Sequence, residues 1–331
     1  MLLAGDIGGT KTLLGLFEGG GDRPRPLVVR EYATLDFDSL DDLTQVFLED
    51  TRASSSVKAV CLGAAGPVNG LVARLTNVPW LVDASILGDR LGDCPVYLLN
   101  DLEAMAYAVP VLEPEEIAVL QEGVPVPGGN AALIAAGTGL GEALLHNVDG
   151  RFIPSASEGG HADFAARTPR ELALVEHLTA IYGRVDNDRV ISGPGLINIF
   201  RFTHGVTGAG LACRTIGGGV DNGELPAAIS ACALAGRCEQ CVEALEMFVE
   251  AYGAEAGNLA LRSMATAGVY IGGGIAPKVL PALENGLFLD AFRGKAPLVD
   301  LLRTLPVSVI LNPAAGLVGA AVRAAGLLAP H

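Results

Sequence analysis

Positive charge is scarce in this 331-residue chain: 22 Lys and Arg stand against 37 Asp and Glu, a net charge of −15. A surface so acidic repels phosphodiester backbones and anionic headgroups, which disfavours nucleic acid and membrane surfaces as partners. Long apolar runs are missing too. No stretch without a charge is longer than 304–322, which is interrupted by Pro306, Asn312, Pro313 and Gly316 and reads as a strand, a turn and a helix. It makes a poor membrane span. No basic segment precedes the early Asp6, so no export signal is read and the expected compartment is the cytosol. There is no low-complexity tail, no short tandem repeat and no HExxH.

Cysteines are few for a chain of this length: Cys61, Cys94, Cys213, Cys232, Cys238 and Cys241. A large core does not need disulfide staples, and reduced thiols are the expectation. Cys238 and Cys241 have CxxC spacing, but they fall in a helical pattern at 227–251 without a second CxxC or a nearby His pair. They read as buried helix thiols rather than a zinc or redox site.

What is present is apolar material and glycine. Half the residues are hydrophobic and 43 are Gly, enough for a sizeable core and many close backbone approaches. Strand-like runs fall at 2–4, 13–17, 59–62, 96–99, 131–136, 142–147, 269–271 and 307–311. Helical patterns fall between them at 40–49, 102–108, 169–181, 195–200 and 227–251, an α/β arrangement.

Two glycine turns organise the chain. Gly5-Asp6-Ile7-Gly8-Gly9-Thr10-Lys11-Thr12 and Gly137-Thr138-Gly139-Leu140-Gly141 each lie between two apolar runs, as strand–turn–strand units. Their repetition suggests a duplicated domain, with the Pro/Gly-rich stretch 123–130 as a boundary region. Consecutive N–H groups in such turns form nests for phosphate oxygens, and Asp6 has the chemistry to hold Mg²⁺ through water. Neither turn fits Walker A or the Rossmann fingerprint, both of which run from strand to helix. A third cluster, Gly272-Gly273-Gly274, ends an apolar strand before Pro277 and suits either an adenosine shelf or close helix–strand packing.

Polar candidates follow. Asn100-Asp101 leaves the strand at 96–99, where Asp101 serves equally well as a helix N-cap or as a base near a reacting hydroxyl. Glu158 and His161 flank Gly159-Gly160, and two such groups bind sugar hydroxyls or satisfy a fold. Asp188 precedes Arg189 and a turn into a helix, the setting of a solvated turn residue.

Taken in order, GDIGGT (5–10), LLND (98–101), GTGLG (137–141), EGGHADF (158–164), RVISGPGL (189–196) and IGGGIAP (271–277) resemble bacterial glucokinases of the hexokinase, actin and Hsp70 superfamily. The resemblance spans nearly the whole chain. It implies two RNase H-like lobes with mixed sheets, 1–111 plus 312–331 and 112–311, with ATP and sugar in the cleft between them. It further implies transfer of phosphate from ATP with Mg²⁺ to O6 of glucose, and Asp101 as general base. Asn100, Glu158 and His161 would contact sugar hydroxyls. Asp6, Ile7, Gly8, Gly9, Thr10 and Lys11, then Gly137, Thr138 and Gly139, would hold the phosphates, with Gly272, Gly273 and Gly274 near adenosine. A homodimer is implied as well. The family usually carries Glu where this chain has Asp188, which puts a sugar contact there in question. ROK (repressor, open reading frame, kinase) proteins share the DIGGTKT opening, but their cysteine-rich zinc motif after GH has no counterpart between His161 and Cys213. Another hexose (fructose, mannose or an N-acylhexosamine) and a non-catalytic sugar-binding regulator are the alternatives.

Overall fold

The computed structural model describes residues 1–75, 78–92, 94–205, 213, 215–217, 221 and 223–328. The chain divides into two compact units, one of 1–116, 152–156 and 312–331, the other of 117–151 and 157–311.

In the first unit a five-stranded sheet runs in the order Arg25–Ala33, Lys11–Glu18, Leu2–Ile7, Ala59–Ala64, Val96–Asn100. The first three strands pair antiparallel and the last three parallel. The central strands are apolar on both faces because both faces are covered. Leu3, Leu14, Leu16, Val60 and Leu62 pack with Leu43 and Phe47 of the helix Leu40–Thr51. Their alternates Leu2, Ala4, Leu13, Phe17, Ala59 and Cys61 pack with Leu317, Ala320 and Ala321 of the helix Ala315–Gly326. That helix is almost side-chain-free where it crosses the helix Asp101–Ala108: a Cβ at Gly319 would collide with the Ala104 carbonyl. Small residues at 104 and 319 therefore hold the start of the Asp101 helix against the sheet.

The second unit repeats the plan. The hairpin Ala131–Ala136 and Leu140–Val148 is followed across the sheet by Gly268–Gly272 and Val307–Ile310, both parallel to Ala131–Ala136 and its neighbour, and then by antiparallel Ile117–Gln121. Hairpin, parallel strand, parallel strand is the order in both sheets, as the duplicated glycine turns suggest.

The helical pattern at 227–251 is two helices, Leu225–Leu234 and Glu239–Ser263. Gly236, at φ 63°, provides the left-handed residue between them. The longer helix lies under the sheet and buries Phe248 and Tyr252 against Phe288. The Tyr252 hydroxyl accepts from Ala136 N–H at 3.1 Å and lies 3.3 Å from the carbonyls of Ile134 and Gly272. It thus joins two strands immediately before their glycine turns. Among the described residues no helix is long and apolar enough to cross a membrane.

Glu142, just beyond the second turn, is 2% exposed. Burial pushes its carboxyl up to about 7, the neighbouring Glu255 adds to the rise, and Arg262 opposes it.

Two outcomes follow from this packing. Tyr252→Phe strips a buried N–H of its acceptor and should lower unfolding free energy by about 1–3 kcal/mol; an unchanged urea midpoint would show that the hydroxyl contributes nothing. Glu142→Gln should stabilise the protein at pH 8. With a folded pKa above the unfolded one, the wild-type carboxyl contributes stability that is complete below about 4.5 and lost as pH rises through about 7. The gap in melting temperature between the Glu142→Gln variant and wild type should therefore widen from pH 5 to pH 8, and a gap constant with pH would contradict this.

Candidate active site

Parallel register decides what meets at the edge of the first sheet. Ile7 pairs with Ala64, and Ala64 with Asn100, so the three parallel strands end level. The turn Gly8–Thr10 and the pair Asn100-Asp101 therefore leave the same edge, where open α/β sheets bind ligands. The turn is braced from outside. Gly8 N–H donates to the Lys11 carbonyl at 3.0 Å, and Thr34 N–H to the Thr10 carbonyl at 3.0 Å. The Thr34 hydroxyl donates to the Gly8 carbonyl at 2.9 Å and so receives the Thr12 hydroxyl proton, also at 2.9 Å. Lys11 is exposed and pairs with Glu31 at 3.1 Å.

Capping falls to Asn100. Its Oδ1 accepts from Leu102 N–H at 2.9 Å, while its Nδ2 donates to the Gly66 carbonyl at 3.3 Å. Asp101 is the first helical residue, and its Oδ1 also receives Leu102 N–H at 2.9 Å. Near it, the Asp6 carboxyl is pushed up to about 6 by burial and then by the charge of Asp101, with Lys11 opposing. A Cβ at Gly316 would stand 2.8 Å from Asp6 Oδ2, so a glycine near the start of the last helix makes room for that carboxylate.

The second unit assembles its own set. Gly137 N–H donates to the Gly139 carbonyl, and Gly193 N–H, at the start of the helix Gly193–Thr203, donates to the Gly137 carbonyl, each at 2.8 Å. Asp188 ties three segments together. Its Oδ1 accepts Leu140 N–H at 2.7 Å, its N–H donates to the Gly160 carbonyl at 2.8 Å, and its carbonyl accepts the Ser192 hydroxyl at 2.6 Å. One carboxylate oxygen of Asp188 is thus committed to the second glycine turn.

Glu158 and His161 are both exposed, on either side of Gly160, whose missing side chain lets the loop lie on the Leu140 carbonyl. His161 Nδ1 is 3.4 Å from Oδ2 of Asp186, which is buried and otherwise accepts Arg189 N–H at 3.0 Å. Ligand atoms of His161, Asp186 and Asp188 lie within 4.8 Å of one another. Asp186 escaped sequence reasoning; only its position two residues before Asp188 hinted at it.

The residues of the third glycine cluster stand in two different settings. Gly273, at φ 84°, lies so close to the Ala136 carbonyl that no Cβ fits. Gly274 is open, and with Gly137 and Thr138 it lines a cavity of 580 Å³. Pro194, Ile197, Pro226 and Ile275 make this cavity apolar, while Arg201 and Lys278 add positive charge. Apolar walls beside a glycine nest suit a flat base joined to phosphates.

Comparison with known proteins gives the family. A family model described as Glucokinase matches residues 3–327. The chain is 39% identical to a glucokinase of Nostoc punctiforme over 99% of both chains, and 39% identical to one of Synechocystis over 98% of this chain and 97% of the other. The crystal structure of a glucokinase from an Antarctic psychrotroph superposes with a TM-score of 0.84 at 29% identity, covering 98% of each chain. A ROK family glucokinase from Streptomyces griseus, solved with glucose and AMPPNP, shares the fold alone, with a TM-score of 0.62 at 21% identity over 98% of each chain. With a family match over almost its full length and relatives near 40% identity, the chain belongs to the glucokinase family.

Proposed function

We propose that this protein transfers the γ-phosphoryl group of ATP to O6 of glucose, with Asp101 as the general base. The observation that carries the role of Asp101 is its departure from the same sheet edge as the Gly8–Thr10 turn, one residue beyond a strand in register with it. Asp101 takes the proton of the 6-hydroxyl as O6 attacks the γ-phosphorus and the bond to the β-phosphate oxygen breaks, releasing ADP.

The rest of the site binds and orients. Asn100, Glu158 and His161 hydrogen-bond sugar hydroxyls; the Asn100 amide retains a second N–H beyond the one given to Gly66. Asp188 holds the second phosphate turn through Leu140 N–H, so its contribution to the sugar runs through its remaining oxygen and the neighbouring His161. Gly9, Thr10, Thr138 and Gly139 give backbone N–H groups to phosphate oxygens, while Gly8 and Gly137 spend theirs closing the two turns, and the adenosine occupies the cavity beside Gly274. Asp6 fits Mg²⁺: it is a hard oxygen donor whose carboxylate burial and Asp101 together disfavour without a cation. When bound there through water, Mg²⁺ neutralises charge on the β- and γ-phosphates.

Asp101→Asn should lower kcat about 10²–10⁴-fold while the Kd for glucose, read by titration calorimetry, stays within about threefold of wild type. A loss in turnover below about tenfold would remove Asp101 from the role of base. Steady-state kinetics across glucose, mannose, fructose and N-acetylglucosamine, read by ADP release with ATP as donor and by sugar-phosphate formation with ADP or polyphosphate, should give the highest kcat/KM for glucose with ATP. Preference for another sugar would overturn the substrate assignment and leave the test of Asp101 standing.

A further inference from the structure

We propose that His204, Cys213, Cys238 and Cys241 form a structural zinc site in the second unit. These four side chains are spread over 38 positions, yet their ligand atoms lie within 4.8 Å of one another. Two opposite edges of the set match those of a zinc tetrahedron. With Zn–S near 2.3 Å and Zn–N near 2.0–2.1 Å, a tetrahedral angle requires S···S of about 3.8 Å and S···N of about 3.6 Å. Cys213 Sγ lies 3.9 Å from Cys241 Sγ, and Cys238 Sγ lies 3.5 Å from His204 Nε2.

The surroundings orient the imidazole and the sulfurs as a metal site requires. His204 Nδ1 is 2.8 Å from the Phe200 carbonyl, which only accepts, so the ring proton sits on Nδ1 and the Nε2 lone pair faces the sulfurs. Backbone hydrogen bonds from Thr215 and Ile216 reach the Cys213 sulfur and hold it in place. Cys238 is the N-cap of the helix Glu239–Ser263 and Cys241 lies in its first turn, so the CxxC pair leaves a single helix end. The set has a CxxC pair plus one Cys and one His, four protein ligands in all, which closes the coordination shell and marks a structural rather than a catalytic ion.

The spacing hid it. His204 and Cys213 stand 34 and 25 positions before Cys238, so no short motif joins them, and the CxxC begins at a helix break that the continuous pattern at 227–251 concealed. These ligands also fall outside the stretch between His161 and Cys213 where the ROK zinc motif was sought, save for His204, which has no cysteine beside it there. The metal would tie the C-terminal end of the helix Gly193–Thr203 to the start of the helix Glu239–Ser263. Between those anchors lie Gly223, Pro226, Ala227 and Ser230, one wall of the cavity. The inference itself stands on the four ligands and is independent of the reaction.

The test uses full-length protein purified in reducing buffer without chelator. One zinc per chain should appear by plasma mass spectrometry and be released to a chromogenic chelator when p-hydroxymercuribenzoate blocks the thiols. Co²⁺ added to metal-free protein should give the intense visible bands of a tetrahedral, thiolate-rich site. Cys238→Ser and His204→Ala should lose stoichiometric metal, His204→Cys should keep it with a Cys₄ cobalt spectrum, and Cys232→Ser, a thiol outside the set, should match wild type. Metal removal should lower the melting temperature. Where Cys238→Ser is insoluble, the wild-type cobalt spectrum and His204→Cys decide. Absence of stoichiometric zinc or cobalt in reduced protein, an octahedral cobalt spectrum, or unchanged metal content in both ligand variants overturns the site; an unchanged melting temperature on full metal removal overturns its structural role.

Discussion

Parallel pairing without stagger is the constraint on which the first unit's chemistry depends. Leu2–Ile7, Ala59–Ala64 and Val96–Asn100 end level, so whatever residue follows each strand is delivered to one edge. A shift of one position would turn every side chain to the opposite face. Leu3 and Leu2 belong to separate apolar layers, packed under the helices Leu40–Thr51 and Ala315–Gly326, and such a slip would exchange them. The register that positions Asp6 and Asp101 is therefore enforced by the burial of leucines far from the edge. The second unit repeats the device: Ala135 pairs with Gly272, which brings the turn after Ala136 beside Gly273 and Gly274.

Electrostatics explain why glycine turns rather than lysines hold the proposed phosphates. A protein of net charge −15 has few cations to spend on a triphosphate. Lys11 is already paired with Glu31, whereas the two hairpin turns present backbone dipoles that need no side chain and are fixed before binding. The threonine pair Thr12–Thr34 on one turn and the Asp188 carboxylate on the other keep those turns in place. Preorganised N–H groups lose little freedom on binding, so the hydrogen bonds that brace the turns contribute to ligand affinity without touching the ligand.

Particular residues show where reading the chain linearly succeeds and where it stops. The strand at 131–136 was legible because its side chains are apolar and buried on both faces, whereas the one at 96–99 was legible from its apolar run alone, since it is an edge strand with Tyr97 exposed. Arg25–Ala33 was not, because it is an edge strand whose side chains are mostly exposed and mixed in polarity, which leaves no period to detect. Asn100 and Asp101 are both good caps by composition. Only coordinates show that Asn100 takes the cap and leaves Asp101 at the first helical position. Asp188 reads as a solvated turn residue, yet it joins Leu140, Gly160 and Ser192, contacts made across 28 to 48 positions by Leu140 and Gly160 that no local pattern encodes.

The amino-acid order by itself determined the α/β class, the two glycine turns and the family resemblance, because these rest on local backbone freedom and on hydrophobic period within a few residues. Tertiary structure alone decided which of two neighbouring polar residues caps a helix, which glycine packs and which lines a cavity, and that His204 meets three cysteines. Those outcomes depend on distances between segments far apart in the chain. Such distances are set by how whole layers pack, and packing is a property of the assembled core rather than of any stretch of sequence.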